Sequence, residues 1–284
     1  MTIKDKLKID GFDNIILNYL DNDNKRNEVT LKRSNKVYLI KGKSFNANQL
    51  IQNLIDNTED KSFINKNIKL DLAIEKIFFD NENAINDLKG ELYFRDNELY
   101  KGDLKAYFSN DKELKFTVTS NGGTKVTTLF LDEAEPLVKK YKFIKGYKGG
   151  SLDLYSSKIG NKSVSTLKIY DFKLKELPVL TKILTLASLQ GIADILSGEG
   201  IGFDEFEMNF QNQGNKITIE EIYAIGPAIS IMMSGYVEKN KVISLRGTLV
   251  PATTINKAIG SIPVLGKILV GSKTGEGVFG VSFK

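Results

Sequence analysis

Apolar residues at every second position recur through most of this chain, and no other feature constrains its fold as strongly. In "IKLDLAIEKIFF", Ile68, Leu70, Leu72 and Ile74 share one parity, while Lys69, Asp71 and Glu75 hold the other. Leu104, Ala106 and Phe108 alternate in "DLKAYFS", and Leu114, Phe116 and Val118 in "ELKFTVTS". The scheme returns with Phe206, Met208 and Phe210, then Ile217 and Ile219. It continues with Ile229, Ile231 and Met233, then Ile243 and Leu245. Successive side chains of a strand point to opposite faces, so each segment reads as a strand with one apolar and one solvated face. Turn sequences such as "RDNE", "NGGT", "QNQGN" and "EKNK" separate them. The expectation is a mostly-β chain with short helices, a succession of antiparallel hairpins forming a long sheet.

Three segments break the alternation. "NANQLIQNLIDN" (46–57) places Leu50, Ile51, Leu54 and Ile55 at helical spacing. "DEAEPLVKKYKF" has Asp132 as an N-cap, acids in its first turn and lysines in its last. The third, "ELPVLTKILTLASLQGIADILSGEG", is apolar around most of its circumference, with Pro178 suited to the first turn and Gly198 to the stop. Its opening recurs: "LPVLTKIL" at 177–184 and "IPVLGKIL" at 262–269, each followed by Gly-Glu-Gly. The second copy reads as two short helices broken at Gly260–Ser261–Ile262–Pro263. These copies organise the chain into residues 1–145, a sheet with two short helices, and 146–284, with two apolar helical segments, in one continuous sheet.

Composition removes whole classes of chemistry. The 284 residues contain no His, Cys or Trp. The commonest general base and the thiol nucleophile are therefore absent, as are zinc, iron–sulfur and haem sites built on Cys or His. No cofactor is expected. Lys+Arg of 40 against Asp+Glu of 35 gives a formal charge of +5, with the signs interleaved. That is no nucleic-acid footprint. The start, "MTIKDKLKIDGFDN", lacks an apolar signal core, and no run reaches the ~18–20 apolar residues of a membrane helix.

Several motifs invite a catalytic or nucleotide reading. "GEGIG" follows a helical segment and opens a strand, whereas a dinucleotide loop follows a strand and opens a helix. Glu199 and Glu276 hold equivalent places in the two copies, but nothing in the sequence joins them as an acid/base pair. Asp171 in "IYDFKL" reads as a strand end. Tyr93, Tyr100, Tyr107 and Tyr170 fit ordinary sheet positions, and "VKKYKFIKGYKGG" fits a helix C-terminus with its cations. A carboxylate hydrolase is a rival reading that requires two acids to converge in one cleft.

The apolar face carries the functional expectation. Large side chains on a long one-sided sheet, covered by few helices, leave an apolar furrow. The candidate groove residues are Leu70, Leu72, Ile74, Leu104, Phe108, Phe206, Met208, Phe210, Ile229, Ile231 and Met233. Leu180, Ile183, Leu184, Leu265, Ile268 and Leu269 are the candidates for helices that cover it. Two acyl chains of ~16 carbons, at ~0.8 kcal/mol per buried methylene, gain ~25 kcal/mol by leaving water.

Four stretches carry a family resemblance: "LASLQGIADILSGEGIGFDEFEMNF", "YAIGPAISIMMSGYV", "ISLRGTLVPATTINKAIGSIPVLGKILVG" and "GEGVFGVSF". They resemble the C-terminal region of AsmA-like proteins of Gram-negative bacteria, closest to the large YhdP-type members related to TamB. The likeness runs from about Gly146 to the end and more loosely from Lys41 to Phe143. It implies a twisted sheet curled into an apolar trough that carries phospholipid between envelope membranes, without a catalytic motif. It also implies a periplasmic, inner-membrane-associated setting with other envelope proteins as partners. Against the family's pattern the chain lacks the N-terminal anchor and most of the length, so a fragment or a reduced member is expected. An assembly factor for outer-membrane proteins, needing no lipid, is the alternative.

Overall fold

Alternating sequence becomes strand wherever neighbouring segments bond in register, and the ladders fix which residues share a face. The computed structural model describes residues 3–4, 8–9, 13–35, 37–49, 67–95, 98–108, 111–140, 146–175, 198, 200–238, 241–251 and 279–282. The chain divides into two compact units, Met1–Pro136 and Leu137–Lys284.

The first unit begins with a short hairpin, β1 (Ile3–Lys4) and β2 (Lys8–Ile9), forming its own two-stranded sheet. A larger sheet follows in chain order: β3 (Asn14–Leu20), β4 (Arg26–Ser34), β5 (Val37–Asn46), β6 (Ile68–Phe78), β7 (Ala84–Arg95), β8 (Glu98–Tyr107), β9 (Glu113–Asn121) and β10 (Thr124–Leu131). Every ladder here is antiparallel except one. β5 and β6 run parallel, with Val37 opposite Lys69 and Asn46 opposite Phe78. This corrects the expectation of hairpins throughout. Parallel neighbours need a crossover of about a dozen residues or more, and the stretch between Asn46 and Ile68 is long enough to supply one.

Helix α1 (Glu135–Lys140) carries Glu135 in its first turn and Lys139 and Lys140 in its last, matching the helix dipole. Asp132 is not its N-cap, contrary to expectation. The Asp132 carboxylate instead accepts the Glu113 N–H at 2.7 Å, and the Asp132 N–H donates to the Glu113 carbonyl at 2.9 Å. A strand end had a stronger demand for that carboxylate than the helix three residues on.

The second unit continues with β11 (Tyr147–Ile159), β12 (Lys162–Leu174), β13 (Ile201–Gln213), β14 (Lys216–Ile225), β15 (Ile229–Glu238), β16 (Val242–Pro251) and β17 (Phe279–Ser282). All six ladders are antiparallel and join consecutive strands. Asp171 lies within β12, not at its end. Its φ of 53° interrupts pairing with both neighbours, and the side chain is exposed. The register is the same on either side of it, Tyr170 opposing Ser151 and Glu205 and Phe172 opposing Gly149 and Phe203. Ile169 and Phe172, three apart, are both buried at 5% exposure.

Of the expected helix over 46–57, only Asn48 and Gln49 are described as helical. Both proline-led segments fall outside the described residues, with Pro178, Pro263, Glu199 and Glu276. So do all the covering positions, Leu180, Ile183, Leu184, Leu265, Ile268 and Leu269.

Candidate functional apolar face

Residues directly opposite in a ladder stand on the same side of the sheet, so the pairings can be followed across each unit. In the first unit one row runs Ile15, Leu31, Ile40, Leu72, Gly90, Leu104, Phe116 and Leu129. The next row runs Tyr38, Leu70, Leu92, Gly102, Val118 and Thr127. The candidates Leu70, Leu72, Ile74 and Leu104 therefore share one face, and Phe108 follows Leu104 and Ala106 on the same parity. Their burial differs. Ile74 and Phe108 are core side chains at 5% and 3% exposure, and Phe108 meets Phe79 edge to face at 6.3 Å. Leu70, Leu72 and Leu104 stay half-buried, as do Leu31, Ile40, Leu92, Phe116 and Leu129. Those last five complete the rows; their parity was the signal, muted by shorter alternating runs.

The second unit repeats the arrangement. One row runs Leu152, Ile169, Phe206, Ala224, Ile231 and Leu249, and another Leu154, Leu167, Met208, Ile222, Met233 and Gly247. A third joins Ser156, Ser165, Phe210, Ile219, Gly235 and Leu245. Phe206, Met208, Phe210, Ile229, Ile231 and Met233 thus lie on one face. Ile229 is fully buried, while the other five are half-buried. The serines on this face satisfy each other, Ser165 Oγ donating to Ser156 Oγ at 2.8 Å. At one end of the face Phe172 stacks on Tyr147 and Phe203 and meets Phe206 edge-on at 6.4 Å.

The opposite faces are polar and internally paired. In the first unit the Lys69 ammonium lies 2.6 Å from Glu91 and 2.9 Å from Asp71, and the Tyr93 hydroxyl donates to Glu91 at 2.6 Å. The bond to Glu91, then that to Asp71, raises the Lys69 pKa, and the bond from Lys69 lowers that of Glu91. Lys69 and Lys101 also stand over the Tyr93 ring, Arg95 over Tyr100 and Lys105 over Tyr107. In the second unit Lys168 pairs with Glu207 at 2.8 Å, and the Tyr223 hydroxyl lies 2.8 Å from Glu207 and 3.2 Å from Glu205. The bond from Lys168 lowers the Glu207 pKa; burial first, then the bond to Glu207, raises that of Tyr223. Each of these shifts moves its group away from neutral pH, holding the lysine and the glutamates charged and the tyrosine neutral.

A cavity of about 650 Å³ opens in the first unit among Asn18, Glu28, Thr30, Lys41, Lys43, Ala73, Glu75 and Lys89. Most of these residues have the parity of the polar face, but Leu17, Val29 and Ile74, of apolar parity, also line the hollow. Its charges are mixed, and Lys43 already pairs with Glu28 at 3.1 Å. Among the described residues no three acidic side chains gather as metal ligands, and no helix is long and apolar enough to cross a membrane.

Fold and face together define a mostly-β protein in which the sheet of each unit is apolar on one side and charge-paired on the other. No family model matches the chain, and it matches neither a curated protein nor a solved structure.

Proposed function

We propose that this protein binds phospholipid, or another lipid with long acyl chains, along the apolar face of its sheet. The observation that supports this reading is the partial exposure of large side chains aligned by register. Leu70, Leu72 and Leu104 in the first unit, and Phe206, Met208 and Met233 in the second, are neither sealed in a core nor scattered singly. A contiguous apolar surface of that kind is costly in water, and acyl chains cover it without needing a directional partner. On this reading Ile74, Phe108 and Ile229 support the surface from within the core. The sheet curls into a trough around its ligand, as the AsmA-like resemblance implies, and the setting is the Gram-negative envelope.

Purification without detergent, followed by native mass spectrometry and organic extraction, tests the proposal. Co-purifying phospholipid that is lost in charge-bearing variants of the apolar face supports it. Protein free of lipid, which also takes up none from vesicles of phosphatidylethanolamine and phosphatidylglycerol, overturns it.

A further inference from the structure

Among the described residues, strand β3 ends the large sheet of the first unit, bonded to β4 on one side only. Its phase can be read from the loops beside it. The Arg33 N–H donates to the Asp13 carbonyl at 2.8 Å and the Asp21 N–H to the Lys25 carbonyl at 3.1 Å, each a directly opposed pair in the β3–β4 register. Hydrogen-bonded pairs alternate along an antiparallel ladder. Ile15, Leu17 and Tyr19 therefore bond to β4, and the main-chain groups of Asn14, Ile16, Asn18 and Leu20 point out from the open edge.

Sheet edges are ordinarily protected by Lys, Pro, bulges or inward-facing charge. β3, "NIILNYL", contains no charged residue and no proline, and no register shift interrupts its ladder. Ile16 is 68% exposed and Leu20 59%.

We infer that this edge pairs with the same edge of a second copy of the chain. The outward-pointing residues must oppose one another in an antiparallel pair, and centring on Asn18 satisfies this. Ile16 then faces Leu20 of the second copy on one side of the sheet, and Leu17 faces Tyr19 on the other. Asn18 meets its own counterpart at the two-fold axis, where the amides bond to each other. Apolar side chains oppose apolar ones on both faces, and no like charges meet within the paired strands. The axis stands perpendicular to the sheet, so the apolar face runs on from one copy into the next. This inference does not rest on lipid binding and holds with or without it.

Sedimentation of the full chain and oxidative cross-linking test it. The native chain should sediment as a dimer at tens of micromolar and dissociate on dilution. The double variant Ile16→Lys/Leu20→Lys, which sets like charges opposite each other, should remain folded by circular dichroism and sediment as a monomer. Because the chain has no cysteine, single replacements report the register. Asn18→Cys should form a disulfide-linked dimer, since directly opposed Cα atoms lie about 5.5 Å apart, within the span of a disulfide. Leu20→Cys should not, its counterpart lying about 13 Å along the strand. A native chain that stays monomeric overturns the inference, as does equal cross-linking of the two cysteine variants.

Discussion

Phe172 and Phe203 stack with ring centroids 5.2 Å apart and planes inclined by 14°, one on each side of the β12–β13 ladder. Tyr147 continues the stack from β11, at 5.4 Å from Phe172. Phe172 also meets Phe206, the ladder partner of Ile169, edge-on at 6.4 Å, and Asp171, with its φ of 53°, lies between Ile169 and Phe172. Three aromatic rings from three strands thus close one end of the apolar face. Phe172→Ala should destabilise the protein by ~3–5 kcal/mol, the cost of removing a buried aromatic at the centre of a cluster. Denaturant unfolding measures it, and a loss under ~1 kcal/mol would mean the stack is not a core.

Gly90 faces Leu72 and Leu104 at the middle of the longest apolar row. Its φ is +144°, and the Asp103 carbonyl occupies the place a Cβ would take. Gly90→Ala should therefore cost about 2 kcal/mol or more, from backbone strain and displacement of β8 together. Gly122→Ala, in the β9–β10 turn with open space around it, should cost less, since only its φ of +57° resists. Comparing the two unfolding midpoints separates close approach from conformational strain.

Asp21 organises the turn between β3 and β4. Burial pushes its pKa up, but bonds from the Lys25 N–H, the Asn27 and Asn46 amides and the Asp23 N–H outweigh this and hold it at about 2, against 3.8 ordinarily. A carboxylate with a depressed folded pKa stabilises above its unfolded value, and that stability is lost as pH falls through the folded value. The native chain should thus melt above Asp21→Asn at pH 5, with the gap closing between pH 3.8 and about 2. A constant gap over that window would show that Asp21 is not ionised in the fold.

Leu72→Glu and Met233→Glu should each reduce co-purified lipid at least several-fold while the protein stays folded, because both positions are half-buried on the apolar face. Ala73→Glu is the matched control. It stands on the opposite face, directly between Lys41 and Lys89 in the ladders, where a carboxylate gains cations. Lipid-to-protein ratios by extraction, with circular dichroism alongside, distinguish loss of binding from loss of fold. Equal ratios in all three variants would remove the apolar face as the binding surface.

Much of this arrangement is written in the chain. Parity is a local property of extended backbone, so the alternation of Leu70 with Asp71, or of Met208 with Glu207, already sorts their side chains to opposite faces. What depends on a neighbour is not written there. Whether β6 pairs with β5 in parallel, whether Asp132 caps a helix or ties a strand end, and whether Asp171 ends β12 or kinks it are decided by which groups the adjacent strands leave unbonded. The same holds for burial. Leu72 and Ile74 are equivalent in sequence, two apolar residues of one parity, yet one is half-exposed and the other sealed. Local chemistry determined the two faces, and tertiary packing alone decided which of their residues became core and which remained surface.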